Sequence, residues 1–135
     1  MALKKERSCI NPQRAKPFDI TELLDVVEHL KGKYVIVEGK KDEEALRSLG
    51  VENIVKIAQE NIHSIPFTLN SNKEIVILTD FDKAGRKLAV RANNVFKAHK
   101  LKVNPHLRKR FMSLGKTRVE DFRLFLRELS LQSKL

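Results

Sequence analysis

The sequence predicts an α/β fold: a central parallel sheet of about four strands with helices on both faces. Three observations point there. Apolar runs of strand length, "YVIV" and "EIVIL", are continuous rather than alternating, as strands buried on both faces are. Segments with helical apolar spacing lie between them. Strand and helix patterns alternate along the chain, the order that gives parallel pairing.

The elements follow in chain order. Residues 1–17 hold two prolines and few apolar side chains, which predicts a basic arm ahead of a single domain at 18–135. Ile20, Leu23, Leu24, Val27 and Leu30 keep a three-to-four spacing, with Asp19 as cap and Gly32 as stop. "YVIV" is the first strand. A helix capped by Asp42 follows, with Glu43 and Glu44 in its first turn, Ala45, Leu46 and Leu49 inward, and Gly50 at its end. "NIVKIA" reads as the second strand. Glu60 to Leu69 reads as a short helix disturbed by Pro66. "EIVIL" is the third strand. Lys83 to Lys100 reads as a long helix with Ala84, Leu88, Ala92, Val95 and Phe96 on its inner face. "LKVNP" reads as an edge strand because of Pro105, and a last helix spans about Thr117 to Leu129.

Charge is unevenly placed. The 135 residues carry 27 bases and 17 acids, a net charge of +10. Residues 17–96 hold eleven bases and thirteen acids, whereas residues 97–127 hold ten bases and two acids. Basic flanks of this kind suit nucleic acid, whose phosphates release counterions when neutralised. A solvated basic surface is the plainer alternative. The longest apolar runs fall far short of the roughly 20 residues of a membrane span, so no membrane partner is expected. The first residues lack a signal-peptide core, and Cys9, the single cysteine, cannot form an internal disulfide. Both favour the cytoplasm. One cysteine and four scattered histidines give no zinc-ligand set.

Two stretches carry the chemistry. "VIVEGKKDEEAL" ends a strand on Glu38 and Gly39; "VILTDFDKAG" ends one on Asp80 and Asp82. Ligands of open parallel sheets bind beyond the carboxyl ends of the strands. Asp80 and Asp82 are two apart and point the same way on an extended chain. If the two strands are neighbours, Glu38 faces the pair. Three converging carboxylates repel unless one keeps its proton or a cation joins them. Mg²⁺, or Mn²⁺ in its place, is the hard cation that takes oxygen ligands and substrate phosphates. Gly39 and Gly85 permit close approach or unusual dihedrals, and Gly39 leaves room for a phosphate above Glu38. Lys40, Lys41, Lys83 and Arg86 are placed to hold phosphate oxygens. The plainer reading is that the aspartates only cap the next helix. "RKRF", with Arg108, Lys109, Arg110 and Phe111, suits backbone contact plus stacking on an unpaired base; a solvated loop with Phe111 in the core is the alternative. "GKT" at 115–117 lacks the upstream glycine of a phosphate loop, since Arg110 stands there.

Together these residues resemble the Toprim domain. Its pattern is an apolar strand ending in Glu-Gly with an aspartate three residues on, then apolar-Asp-x-Asp-x-x-Gly. Glu38, Gly39 and Asp42 match the first part; Asp80, Asp82 and Gly85 match the second. The resemblance covers about residues 32 to 105 and implies a Rossmann-like fold of a small free-standing kind. It implies Mg²⁺ on Asp80 and Asp82, and Glu38 as general acid or base or as a further ligand. The implied function is a Mg²⁺-dependent nuclease or other phosphodiester-transfer enzyme acting on RNA or DNA. The alternative is a non-catalytic nucleic-acid-binding module in RNA or ribosome maturation. Strand passage is not expected, because Tyr34, the single tyrosine, opens a strand. Priming is not expected without zinc ligands. A haloacid-dehalogenase-like phosphatase would use Asp80 as nucleophile, but that motif belongs on a first strand and wants Thr or Val where Ala84 stands. A protein partner or a homo-oligomer is left open.

Overall fold

A computed structural model describes residues 20–58 and 60–114. The arm at 1–17, the cap at Asp19 and the helix from Thr117 lie outside the described residues. The elements are α1 (Ile20–His29), β1 (Tyr34–Val37), α2 (Lys40–Ser48), β2 (Ile54–Lys56), a 3₁₀ turn (Ile65–Thr68), β3 (Glu74–Ile77), α3 (Lys83–Ala98), β4 (Lys102–Val103) and α4 (Pro105–Met112).

All four strands are parallel, in the order β2-β1-β3-β4. Val35 pairs with Ile54 on one side and Val76 on the other, so β1 and β3 are central. The strands alternate between two buried layers, which is why the runs read as continuously apolar. Val35, Val37, Val76 and Leu78 face one layer with Leu23, Val26 and Leu30 of α1 and Leu107 and Phe111 of α4. Ile36, Ile75 and Ile77 face the other, with Ala89, Ala92 and Phe96 of α3 and Ile62 and Ile65 of the 3₁₀ region. Phe96 and Phe111 are fully buried, each contributing on the order of 1.5–3 kcal/mol.

Several expectations need correction. Ala84 is exposed; Gly85, Ala89, Ala92 and Phe96 form the inner face of α3. The α2 cap is Gly39, and Asp42 lies inside the first turn, nearly buried. The stretch 60–69 makes turns and one 3₁₀ segment, since Pro66 in that segment's first turn removes a backbone donor. The stretch 105–112 is a helix rather than a loop. Asn104 caps it, accepting from the backbone of His106 and Leu107, and Pro105 takes the first position, where its missing N–H costs nothing.

Candidate metal centre

The chain passes from β1 to β2 on one side and then to β3 on the other. The strand order therefore reverses between β1 and β3, and the crevice at such a reversal is where open sheets bind ligands. Glu38 follows β1 and Asp80 follows β3, so both stand at that crevice. The Asp80 N–H donates to Glu38 Oε2 at 3.0 Å, joining two residues 42 apart in sequence. An open depression of about 390 Å³ lies over them, lined by Glu38, Gly39, Lys40, Lys41, Asp42 and Asp80.

The turn after β3 is tightly held. Thr79 is fully buried and its hydroxyl donates to the Gly85 carbonyl at 2.7 Å. Asp82 Oδ1 accepts from the Gly85 N–H at 2.8 Å, so Asp82 does cap α3. A Cβ on Gly85 would stand 2.8 Å from Asp80 Cα and inside the contact distance of the Asp80 carbonyl. Gly85 is thus glycine because α3 starts against the backbone of Asp80. Gly39 differs. Its backbone is extended and a Cβ there would meet nothing within 4 Å, so no unusual dihedral explains it. The open space above it is the part of the expectation that stands.

Beneath the turn lies Arg108 of α4. Its guanidinium donates to the carbonyls of Ile77 (3.0 Å), Thr79 (2.9 Å) and Asp80 (3.1 Å) and to the Thr79 hydroxyl (3.1 Å). It also lies 4.9 Å from the centre of the Phe81 ring. Burial pushes the guanidinium below its usual range, while the Glu38 and Asp80 carboxylates push it back up. It stays a cation, since arginine titrates far above neutral pH. The acids therefore have a built-in counter-charge. The sequence reading assigned Arg108 to nucleic acid and missed this role; the Asn-Pro start of α4, with Leu107 and Phe111 four apart, was the available signal.

The rest of "RKRF" divides. Arg110 bonds Glu22 and Asp25 of α1, both at 2.8 Å, and Lys109 is exposed. Phe111 is buried, so of its two readings the core one holds and stacking on a base is overturned. Lys40, Lys41, Lys83 and Arg86 are exposed, the first two on the rim of the depression. Arg86 also reaches the Phe81 carbonyl at 3.4 Å.

Among the described residues no three His, Cys, Asp or Glu side chains gather closely enough to hold a metal ion. The three-acid cage anticipated from the sequence is not formed: Glu38 accepts from the Asp80 backbone, and one oxygen of Asp82 caps α3. The donor set still fits Mg²⁺. All its atoms are carboxylate oxygens, and Mg²⁺ is commonly held by one or two carboxylates, with waters and phosphates completing the octahedron.

A family model described as "Toprim domain" matches residues 32–106, more than half of the chain and both motifs. The chain belongs to the Toprim family. A "UPF0292 protein" of Thermococcus kodakarensis is 35% identical over 129 residues, covering 92% of this chain and 95% of its own length. Another, from Thermococcus sibiricus, is 34% identical over 118 residues, covering 84% and 93%. One from Methanocaldococcus jannaschii is 43% identical over 94 residues, covering 64% and 73%. A solved structure of a protein from Aquifex aeolicus shares the fold, with TM-score 0.68 and 17% identity, covering 78% of this chain and 99% of that one. The Toprim match ends before Arg108, so the counter-cation lies outside the span that defines the family. No helix among the described residues is long and apolar enough to cross a membrane.

Proposed function

We propose that this Toprim protein is a Mg²⁺-dependent nuclease or related phosphodiester-transfer enzyme acting on RNA or DNA. The observation that supports the reading is the Asp80 N–H to Glu38 Oε2 bond, which brings Glu38 to the turn that carries Asp80 and Asp82; the Toprim resemblance implies Glu38 as general acid or base and the two aspartates as metal ligands. Asp80 and Asp82 would hold Mg²⁺ when it binds, with Glu38 beside them. The metal, when bound, stabilises charge developing on the phosphate oxygens. Glu38 moves a proton to or from the attacking or leaving oxygen. Lys40 and Lys41 on the depression's rim and Lys83 and Arg86 at the start of α3 bind flanking phosphates. Gly39 keeps the space above Glu38 clear. Asp42, in the first turn of α2, reinforces the negative charge at that helix start.

The test is a panel of end-labelled RNAs and DNAs with Mg²⁺ or Mn²⁺. Glu38→Gln and Asp80→Asn should each lower cleavage by about 10²–10⁴-fold. Full cleavage by both variants would end the proposal. A second reading, a nucleic-acid binder without turnover, is favoured by the use of Asp82 as a helix cap and the missing three-acid cage. It is supported instead if binding falls steeply with salt and no divalent metal yields product.

A further inference from the structure

The helix α3 presents an unusual face. Its sixteen residues, "KAGRKLAVRANNVFKA", carry five bases and no acid. Lys83, Arg86, Lys87, Arg91 and Lys97 are all exposed, opposite the buried Gly85, Ala89, Ala92 and Phe96. A merely solvated helix face mixes both signs, because like charges four apart destabilise it, as at Lys83–Lys87 and Lys87–Arg91. Three of the bases crowd the amino end, where the helix dipole disfavours cations. In the middle of this face Val90 is 61% exposed. Local helix stability does not favour an all-basic face or bases at the amino end; a polyanion laid along the helix accounts for both.

The far end of α3 supplies what electrostatics alone does not. His99, just past the helix, makes an edge-to-face contact with Phe67, ring centres 5.0 Å apart and planes at 81°. That contact places the Phe67 ring against His99 while leaving the residue 78% exposed. Phe67 belongs to the 3₁₀ turn, which is tied to the amino end of the sheet by the Asn70 N–H donating to the Tyr34 hydroxyl at 2.9 Å. Lys73 Nζ lies 5.4 Å from the centre of the Tyr34 ring, and Lys100 follows His99 in sequence. An open aromatic ring at the end of a basic helix face is what an unpaired base stacks upon.

We infer that single-stranded nucleic acid runs along α3 from the carboxylates to a stacking platform at Phe67, on the opposite end of the sheet. The helix spans about 24 Å, so the platform grips the strand well away from the acids. The inference rests on the proposed nucleic-acid function and adds the path and a preference for unpaired substrate.

The experiment is fluorescence anisotropy on the full chain, with labelled single-stranded RNA and DNA of about 16 nucleotides and a duplex of the same sequence. Heparin, a polyanion without bases, competes in a parallel arm. Phe67→Ala should weaken single-strand binding by about 5- to 100-fold and leave heparin competition and Mn²⁺ affinity unchanged. Phe67→Trp should restore binding. Lys97→Ala should lower the slope of log affinity against log salt by about one. Wild-type affinity in Phe67→Ala, an equal loss toward heparin, or no preference for single strands over duplex would overturn the path while leaving the nuclease reading intact. Absence of any nucleic-acid binding by the wild type would remove both.

Discussion

Replacing Arg108 with methionine keeps most of the side-chain volume and removes the guanidinium. Three main-chain carbonyls and the Thr79 hydroxyl then lose a charged donor. A hydrogen bond to a charged group is worth about 1.5–3 kcal/mol, and a buried acceptor left without a donor costs about 1–3 kcal/mol. Thr79 keeps its bond to Gly85, and water can reach part of the half-buried site, so the four bonds do not add in full. A net loss of about 2–4 kcal/mol follows. With a urea slope near 2 kcal/mol/M, the midpoint falls by about 1–2 M. Arg108→Lys retains the charge and loses the fork, so it should fall between. The assay is urea unfolding followed by circular dichroism, with both variants beside wild type. A methionine variant within about 0.5 kcal/mol of wild type, the usual range for a surface change, would refute the clamp.

Gly85→Ala forces α3 away from Asp80 and should cost about 1–3 kcal/mol and weaken Mn²⁺ binding, whereas Gly39→Ala, which meets open space and loses only the cap preference for glycine over alanine, should cost no more than about 1 kcal/mol. Asp82→Ala removes the α3 cap at a cost of about 0.5–2 kcal/mol, while Asp82→Asn keeps the cap; a loss of Mn²⁺ affinity in the stable Asn variant would assign Asp82 to the metal. The hydrogen bond from Arg110 holds the Asp25 carboxyl below its ordinary range, and the one from Arg47 does so for Glu43. A lowered carboxylate value stabilises the fold above the unfolded value near pH 4 and loses that contribution as pH falls through the folded one. Stability should therefore drop in acid, and Arg110→Ala should flatten the Asp25 part of that drop in a pH series of melts.

The strands and the main helices were legible because each satisfies its own local rule. β1 and β3 are short, β-branched and buried on both faces, and α3 has an apolar stripe with a capping aspartate at its start. That Glu38 would come close to the Asp80 turn was legible too, since strand ends converge in a parallel sheet; that it would meet the Asp80 backbone was not. What stayed hidden was tertiary. Arg108 and Phe111 look in sequence like a basic loop with a stacking ring, and only the packing of α4 under β3 turns one into a clamp and the other into core. Asp42 looks like a cap because capping residues and first-turn acids share a composition; the glycine three residues earlier took the role. The unmet cage has the same origin, since side-chain alternation says which way Asp82 can point and not that the Gly85 N–H will claim its oxygen.

The ion pairs from Arg110 to Glu22 and Asp25 fasten the last described helix to the first. Excision of residues 32–106 alone would preserve every signature residue yet discard the belt that closes the layer and the cation that seats the Asp80 turn. The stretch that advertises the chemistry is shorter than the stretch that makes it possible, and trimming to the former should yield an insoluble or molten fragment.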